Sequence, residues 1–205
     1  MYFFDGPRYV RVDSVKDTIT YSTAKDIKGM WPGLDGVSSV DAILPAGPKD
    51  SKAWFFSDDT VALLEVKFGG LASGNSRIKW AESDKFSAVK EAGIHHIDTV
   101  IPHFWPGGVP TQASFFSGAK YVTIDTASGE LVAGLQDLPA TFSFSEFTKV
   151  DTFVFVPNTN FQEGYFFSNG DFLRAHLPSM KLAYPTDTQN AWSSLKSADF
   201  FKSVA

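Results

Sequence analysis

Three aspartates in this sequence share one local signature. Val40-Asp41-Ala42-Ile43, Ile97-Asp98-Thr99-Val100 and Val150-Asp151-Thr152-Phe153 each read apolar, Asp, small, apolar. Near the C-terminus Phe201-Lys202-Ser203-Val204 repeats the shape, with Lys in the acidic position. Carboxylate oxygens gathered around one point are hard ligands suited to Ca²⁺ or Na⁺, calcium taking about six to eight of them. Lys202 would cancel one of those charges and can instead pair with a neighbouring Asp. The competing reading is structural, because Asp followed by a small residue at a strand start makes good local hydrogen bonds. An acidic ring would also attract long, thin cations such as polyamines.

A second kind of chemistry is suggested by two loops, Pro102-His103-Phe104-Trp105-Pro106-Gly107-Gly108 and Pro157-Asn158-Thr159-Asn160-Phe161-Gln162. An exposed Trp105 or Phe161 can stack on the apolar face of a pyranose, with His103 and Asn160 holding hydroxyl groups. Loops carry recognition more often than frameworks do. Packing beneath the loop is the alternative for Trp105.

Other chemistries find no footing. The sequence has no cysteine, which excludes disulfides and thiolate metal sites. No Gly-x-Ser-x-Gly elbow, His-Glu-x-x-His pair or nucleotide-binding glycine fingerprint occurs, so a non-enzymatic role is expected. Gly69-Gly70-Leu71-Ala72-Ser73-Gly74 lacks the Lys-Ser/Thr of a phosphate loop. A net charge of −5 speaks against nucleic acid, whose readers present a basic face. No run of about 18 apolar residues is present to span a membrane. No signal-like segment precedes the first strand, and the expected location is cytoplasmic.

The elements that would position these groups are written four times. Phe3-Phe4, Phe55-Phe56, Phe115-Phe116 and Phe166-Phe167 recur at steps of 52, 60 and 51 residues. Each doublet is followed by a turn (Gly6, Ser57-Asp58-Asp59, Gly118, Gly170) and then by a strand of period-2 alternation. One face of that strand is uniformly apolar: Val10/Val12, Ala62/Leu64, Val122/Ile124 and Leu173/Ala175. A strand repeat of about 50 residues predicts an all-β, four-bladed β-propeller. The Asp segments precede their doublets and become the innermost strands, with Ile43, Val100, Phe153 and Val204 lining the axis. The repeats then run over 1–39 plus 199–205, 40–96, 97–149 and 150–198, in a single domain. The C-terminal strand would close the first blade, joining the ends of the ring through backbone hydrogen bonds and removing an exposed edge. Trp31 and Trp192 occupy matching places and are expected to be structural. Trp80 matches Tyr21 in a weaker outer strand.

The sequence of a central-strand Asp, a small residue and then Phe-Phe-x-Gly-x-x-Tyr-x-Arg-x-Asp resembles the hemopexin-like repeat. The resemblance covers the whole chain. It weakens in the second copy, where Val61 replaces Tyr, and in the fourth, which ends in His176. It implies a four-bladed propeller with a narrow axial channel in which backbone carbonyls hold a cation. Extracellular members close their ring with a disulfide, which this chain lacks. It is closer in character to plant seed albumins and microbial members, which bind small ligands or sugars. From this follow a lectin as the leading expectation, and a channel ligand (polyamine, calcium, haem) or an interaction scaffold, including a homodimer, as alternatives. Haem is implied by the family's name alone; the histidines are His95, His96, His103 and His176.

Overall fold

A computed structural model describes residues 2–13, 18–20, 23–46, 51–104, 110–138, 149–156, 163–168, 171–176, 181–182 and 186–187. Nearly all of it is antiparallel β-structure in four separate sheets. The first holds β1 (Tyr2–Asp5), β2 (Arg8–Asp13), β3 (Thr18–Ile19) and β4 (Lys25–Asp26). The second holds β5 (Ala42–Pro45), β6 (Lys52–Ser57), β7 (Thr60–Glu65), β8 (Gly70–Leu71) and β9 (Ile78–Lys79). The third is β10 (Thr99–Phe104), β11 (Pro110–Ser117), β12 (Lys120–Asp125) and β13 (Leu131–Asp137). The fourth is β14 (Thr152–Phe155), β15 (Glu163–Ser168), β16 (Asp171–His176), β17 (Lys181–Leu182) and β18 (Thr186–Asp187). Each Phe doublet lies on the strand expected, and β5, β10 and β14 are the strands that follow the three aspartates. Residues 199–205, expected to supply the matching strand of the first sheet, lie outside the described residues, as do Trp192, Tyr21 and the 105–109 and 157–162 loop segments.

The doublets explain how the sheets hold one another. Adjacent residues on a strand point to opposite faces, so two consecutive Phe rings serve two different neighbours. Phe55 packs with Tyr9 and Trp31 against the first sheet, whereas Phe56 packs with Phe115 and Val122 against the third. Phe115 faces back to the second sheet, and Phe116 faces forward to Phe166 and Leu173 of the fourth. Phe167 then packs with Phe3, Val10 and Val12 of the first sheet, while Phe4 lies against the seam with the second. The four seams therefore link sheets one to two, two to three, three to four and four back to one. Ring contacts across them are edge-on: Phe4 to Phe55 at 6.2 Å, Phe56 to Phe115 at 5.7 Å and Phe3 to Phe167 at 6.1 Å between centroids. Such geometry sets ring edges against ring faces and adds to the burial itself.

The uniformly apolar set on β2, β7, β12 and β16 is buried in every copy, as alternation predicts. The other face proves less polar than its sequence suggests, for Tyr9, Val61, Tyr121 and Phe172 are buried as well, each on the forward seam. Both faces of these strands are covered, so strict polar alternation holds only toward the rim. Each doublet strand turns through two residues into the next. At the first turn position Gly6, Asp58 and Gly118 all have positive φ, the backbone sign that tight hairpins need. Gly170, expected at the turn of the fourth copy, lies outside the described residues. Two other expectations shift. The Gly69–Gly74 segment contains the short strand β8, and Trp80 begins a 3₁₀ turn over Trp80–Glu82 in place of extending the outer strand. Trp31 is buried in the first seam, and Trp80 is buried in the second with its Nε1–H donated to the Asp58 carbonyl at 3.2 Å.

Candidate functional site

The inner strands of three sheets and the doublet strand of the first surround one cavity of about 730 Å³. Ile43, Val100 and Phe153 line it, together with Asp41, Asp98, Asp151 and His96. The sequence-predicted axial residues that are described thus share a single space; Lys202 and Val204 lie outside the described residues. The wall combines apolar side chains with an acidic set contributed at the start of each inner strand.

The aspartates have a local task as well. Asp41 Oδ2 accepts the backbone N–H of Asp58 at 2.6 Å, and its Oδ1 accepts the Ser39 hydroxyl at 3.0 Å. Asp98 Oδ2 accepts the N–H of Gly118 at 2.5 Å, and its Oδ1 meets His96 Nε2 at 3.2 Å. Asp58 and Gly118 are the left-handed turn residues, so each carboxylate clamps the hairpin of its own sheet. The backbone N–H groups of Asp41, Asp98 and Asp151 donate in turn to the carbonyls of Phe56, Phe116 and Phe167. Asp151 forms an ion pair with Lys149 at 2.6 Å. Local hydrogen bonding, one of the two readings left open by the sequence, is thereby present at Asp41 and Asp98. Among the described residues no group of three or more His, Asp or Glu side chains is disposed to hold a metal ion. The histidines are dispersed: His96 at the cavity, His103 on β10 and His176 at the end of β16.

Of the loop-face set only His103 is described; Trp105, Asn160 and Phe161 lie outside the described residues. His103 Nε2 is 2.8 Å from Ser114 Oγ, which is 2.7 Å from Thr123 Oγ1. The chain crosses three adjacent strands. Ser114 and Thr123 are direct cross-strand partners, and His103 reaches Ser114 diagonally. The residue keeps an exposed edge, yet its ring sits in dense surroundings, and burial holds the imidazole pKa below its ordinary value. Sequence reasoning picked His103 for its loop and missed Ser114 and Thr123. A signal was present: the residue before each doublet is Tyr2, Trp54 and Tyr165 in three copies and Ser114 in the third.

No protein-family model matches the chain, and no curated protein matches it. Solved structures do. A hemopexin-fold protein from cow pea is 20% identical with a TM-score of 0.77, over 98% of this chain and 92% of the other. A plant albumin from Cicer arietinum showing hemagglutination is 17% identical with a TM-score of 0.76, over 100% and 93%. A plant lectin with two metal-binding sites from Cicer arietinum is 18% identical with a TM-score of 0.77, over 100% and 93%.

Proposed function

From the hemopexin-like fold that this chain shares with those proteins, we propose that it is a non-catalytic binding protein, most specifically a carbohydrate-binding lectin. In this reading the four sheets are the blades of a four-bladed propeller, and the C-terminal strand closes the first blade. The recognition surface is the loop face above the third and fourth blades. The observation that carries it is His103, an exposed residue near the end of β10 whose ring is held by Ser114 and, through Ser114, by Thr123. A ring held in one orientation by its own hydrogen bonds loses little entropy on meeting a ligand. Trp105 and Phe161 supply stacking surfaces and Asn160 a hydroxyl partner. Hemagglutination by one neighbour and the lectin character of another support the same role.

A glycan array tests it. The protein should give reproducible signal on a subset of sugars, and Trp105→Ala should lower that signal about tenfold or more, as loss of an aromatic anchor does. A blank array, or equal signal from the variant, would remove the loop-face reading.

The acidic cavity favours a second reading, a cationic ligand on the axis. Asp41, Asp98 and Asp151 line the cavity together with the apolar Ile43, Val100 and Phe153, a mixture that suits a polyamine with its charged amines and methylene segments. Ca²⁺ or Na⁺ would rely on backbone carbonyls, since the carboxylates at Asp41 and Asp98 already accept turn N–H groups. Asp98→Ala should weaken spermine binding about five- to tenfold by calorimetry, the worth of one charge-assisted contact. Equal affinity would remove the axis as the site.

A further inference from the structure

The forward seam of the third sheet departs from the other three in chemistry. At equivalent positions the first sheet sets Arg11 over the Tyr2 ring at 5.7 Å, and the fourth sets Arg174 over Tyr165 at 6.0 Å. The second sheet pairs Trp54 with Leu63. The third replaces ring and partner with two hydroxyls, Ser114 and Thr123, and adds His103. Ser114 is only 1% exposed and shares its face with Phe116 and Tyr121, which pack in the seam toward the fourth sheet. A hydroxyl pair amid Phe rings buries less apolar surface than the large ring and long partner found at this place in the other sheets. It therefore calls for a use other than packing.

We propose that His103, Ser114 and Thr123 form a reversible hydrogen-bond relay that lets His103 present either polarity to a ligand. Both hydroxyls can rotate. When Thr123 donates to Ser114 and Ser114 donates to Nε2, the imidazole proton sits on Nδ1 and that nitrogen is a donor. When the chain runs the other way, Nε2–H donates to Ser114, Ser114 donates to Thr123, and Nδ1 is an acceptor. The ring changes tautomer by giving the Nδ1 proton to solvent and taking one from solvent at Nε2 while its bond to Ser114 is open. The two hydroxyls then only rotate, so the three groups as a set gain and lose no proton. A group that switches between donor and acceptor matches a neutral sugar hydroxyl, which is itself both. Protonation of the ring ends the exchange, because imidazolium has donors only.

Among the described residues nothing charged competes for the ring. The strands packed on β10, namely β5, β11 and β14, contain no titratable side chain. On β12, Lys120 pairs with Asp137, Asp125 is held by its own turn, and Tyr121 donates to Gln136. On the fourth sheet Glu163 is paired with Arg174. Burial lowers the pKa of the ring. A folded-state pKa below the unfolded value means that the unfolded chain binds the proton more readily. Stability linked to His103 is thus complete above about pH 6.5 and is lost as pH falls from there through the folded pKa.

The ligand half of this proposal rests on the lectin reading, and the experiment separates the two. Ring ¹⁵N shifts of His103, followed by NMR from about pH 4 to 8, should show both nitrogens partly protonated in the neutral ring. In Ser114→Ala one tautomer should dominate, and Thr123→Ser should keep the wild-type pattern. Shifts that are the same in wild type and Ser114→Ala, or a single fixed tautomer in wild type, would overturn the relay. Thermal midpoints on the same samples identify a variant that fails to fold, and Thr123→Val then serves in place of Ser114→Ala. Red-cell agglutination is the binding probe. A ligand hydroxyl that donates to Nδ1 loses its acceptor on protonation, so the minimum concentration should rise about five- to tenfold between about pH 7.5 and one unit below the ring pKa read from those shifts, the worth of one lost hydrogen bond. In His103→Gln that dependence should vanish. Agglutination that is equal at both pH values overturns the ligand half. Agglutination absent at every pH overturns the lectin reading and the ligand half together, while the ring shifts still decide the relay.

Discussion

Phe115→Ala is expected to lower the free energy of unfolding by about 3–5 kcal/mol, the usual loss for a buried aromatic ring. The ring is fully buried in the seam between the second and third sheets. It meets Phe56 edge-on at 5.7 Å and Phe86 at 5.8 Å. Collapse cannot easily fill the space, since both neighbours are fixed by other contacts: Phe86 also packs edge-on against Trp54 at 5.4 Å. Urea unfolding followed by circular dichroism would measure it. A change under about 0.5 kcal/mol, typical of an exposed site, would contradict the assignment of the doublet to two seams.

Gly129→Val should cost about 2–5 kcal/mol, combining a β-branched residue at positive φ with a clash. Gly129 has φ +78°, and a Cβ there would lie 2.7 Å from the Asp84 carbonyl oxygen and 2.8 Å from that of Lys85. Those are backbone atoms with little freedom to yield. The turn is tied on its other side too. Backbone N–H groups of Ser128 and Ala127 hold the Asp125 carboxyl below its usual pKa, and Lys85 donates to the Thr126 carbonyl. Gly118→Ala is the control. Its φ is +57° but nothing lies within 4 Å of the added Cβ, so only the conformational cost of about 1 kcal/mol applies. Equal losses at the two positions would show that strain, not close approach, sets the effect at Gly129.

How much was legible follows from the range over which each signal acts. The four copies of Phe-Phe, their turns and the apolar faces of β2, β7, β12 and β16 are patterns within about ten residues, and the local order of residue types alone reveals them. The assignment of Phe55 to one neighbour and Phe56 to another depends on which sheet lies on which side, a tertiary fact. Helix α1 (Ser87–Glu91), with Phe86, Val89, Ile94 and Ile97 filling the second seam, is too short to show a helical period. The shared position of Asp41, Asp98 and Asp151 around one cavity was readable from their repeat spacing. Their hydrogen bonds to Asp58 and Gly118 were not, because the partners lie 17 and 20 residues away. Ser114 stood in plain view as the only non-aromatic residue ahead of a doublet. Its meaning needed His103 and Thr123 beside it.

The paired Phe rings have a consequence for how the molecule comes apart. Every sheet lends one ring to each side, so none can leave without baring aromatic surface on two others. A single repeat, cut out as a peptide, would keep its hairpins' sequence and lose the walls that make them worth forming. Unfolding should then proceed as one event across all four seams, with no partly assembled species of two or three sheets accumulating between.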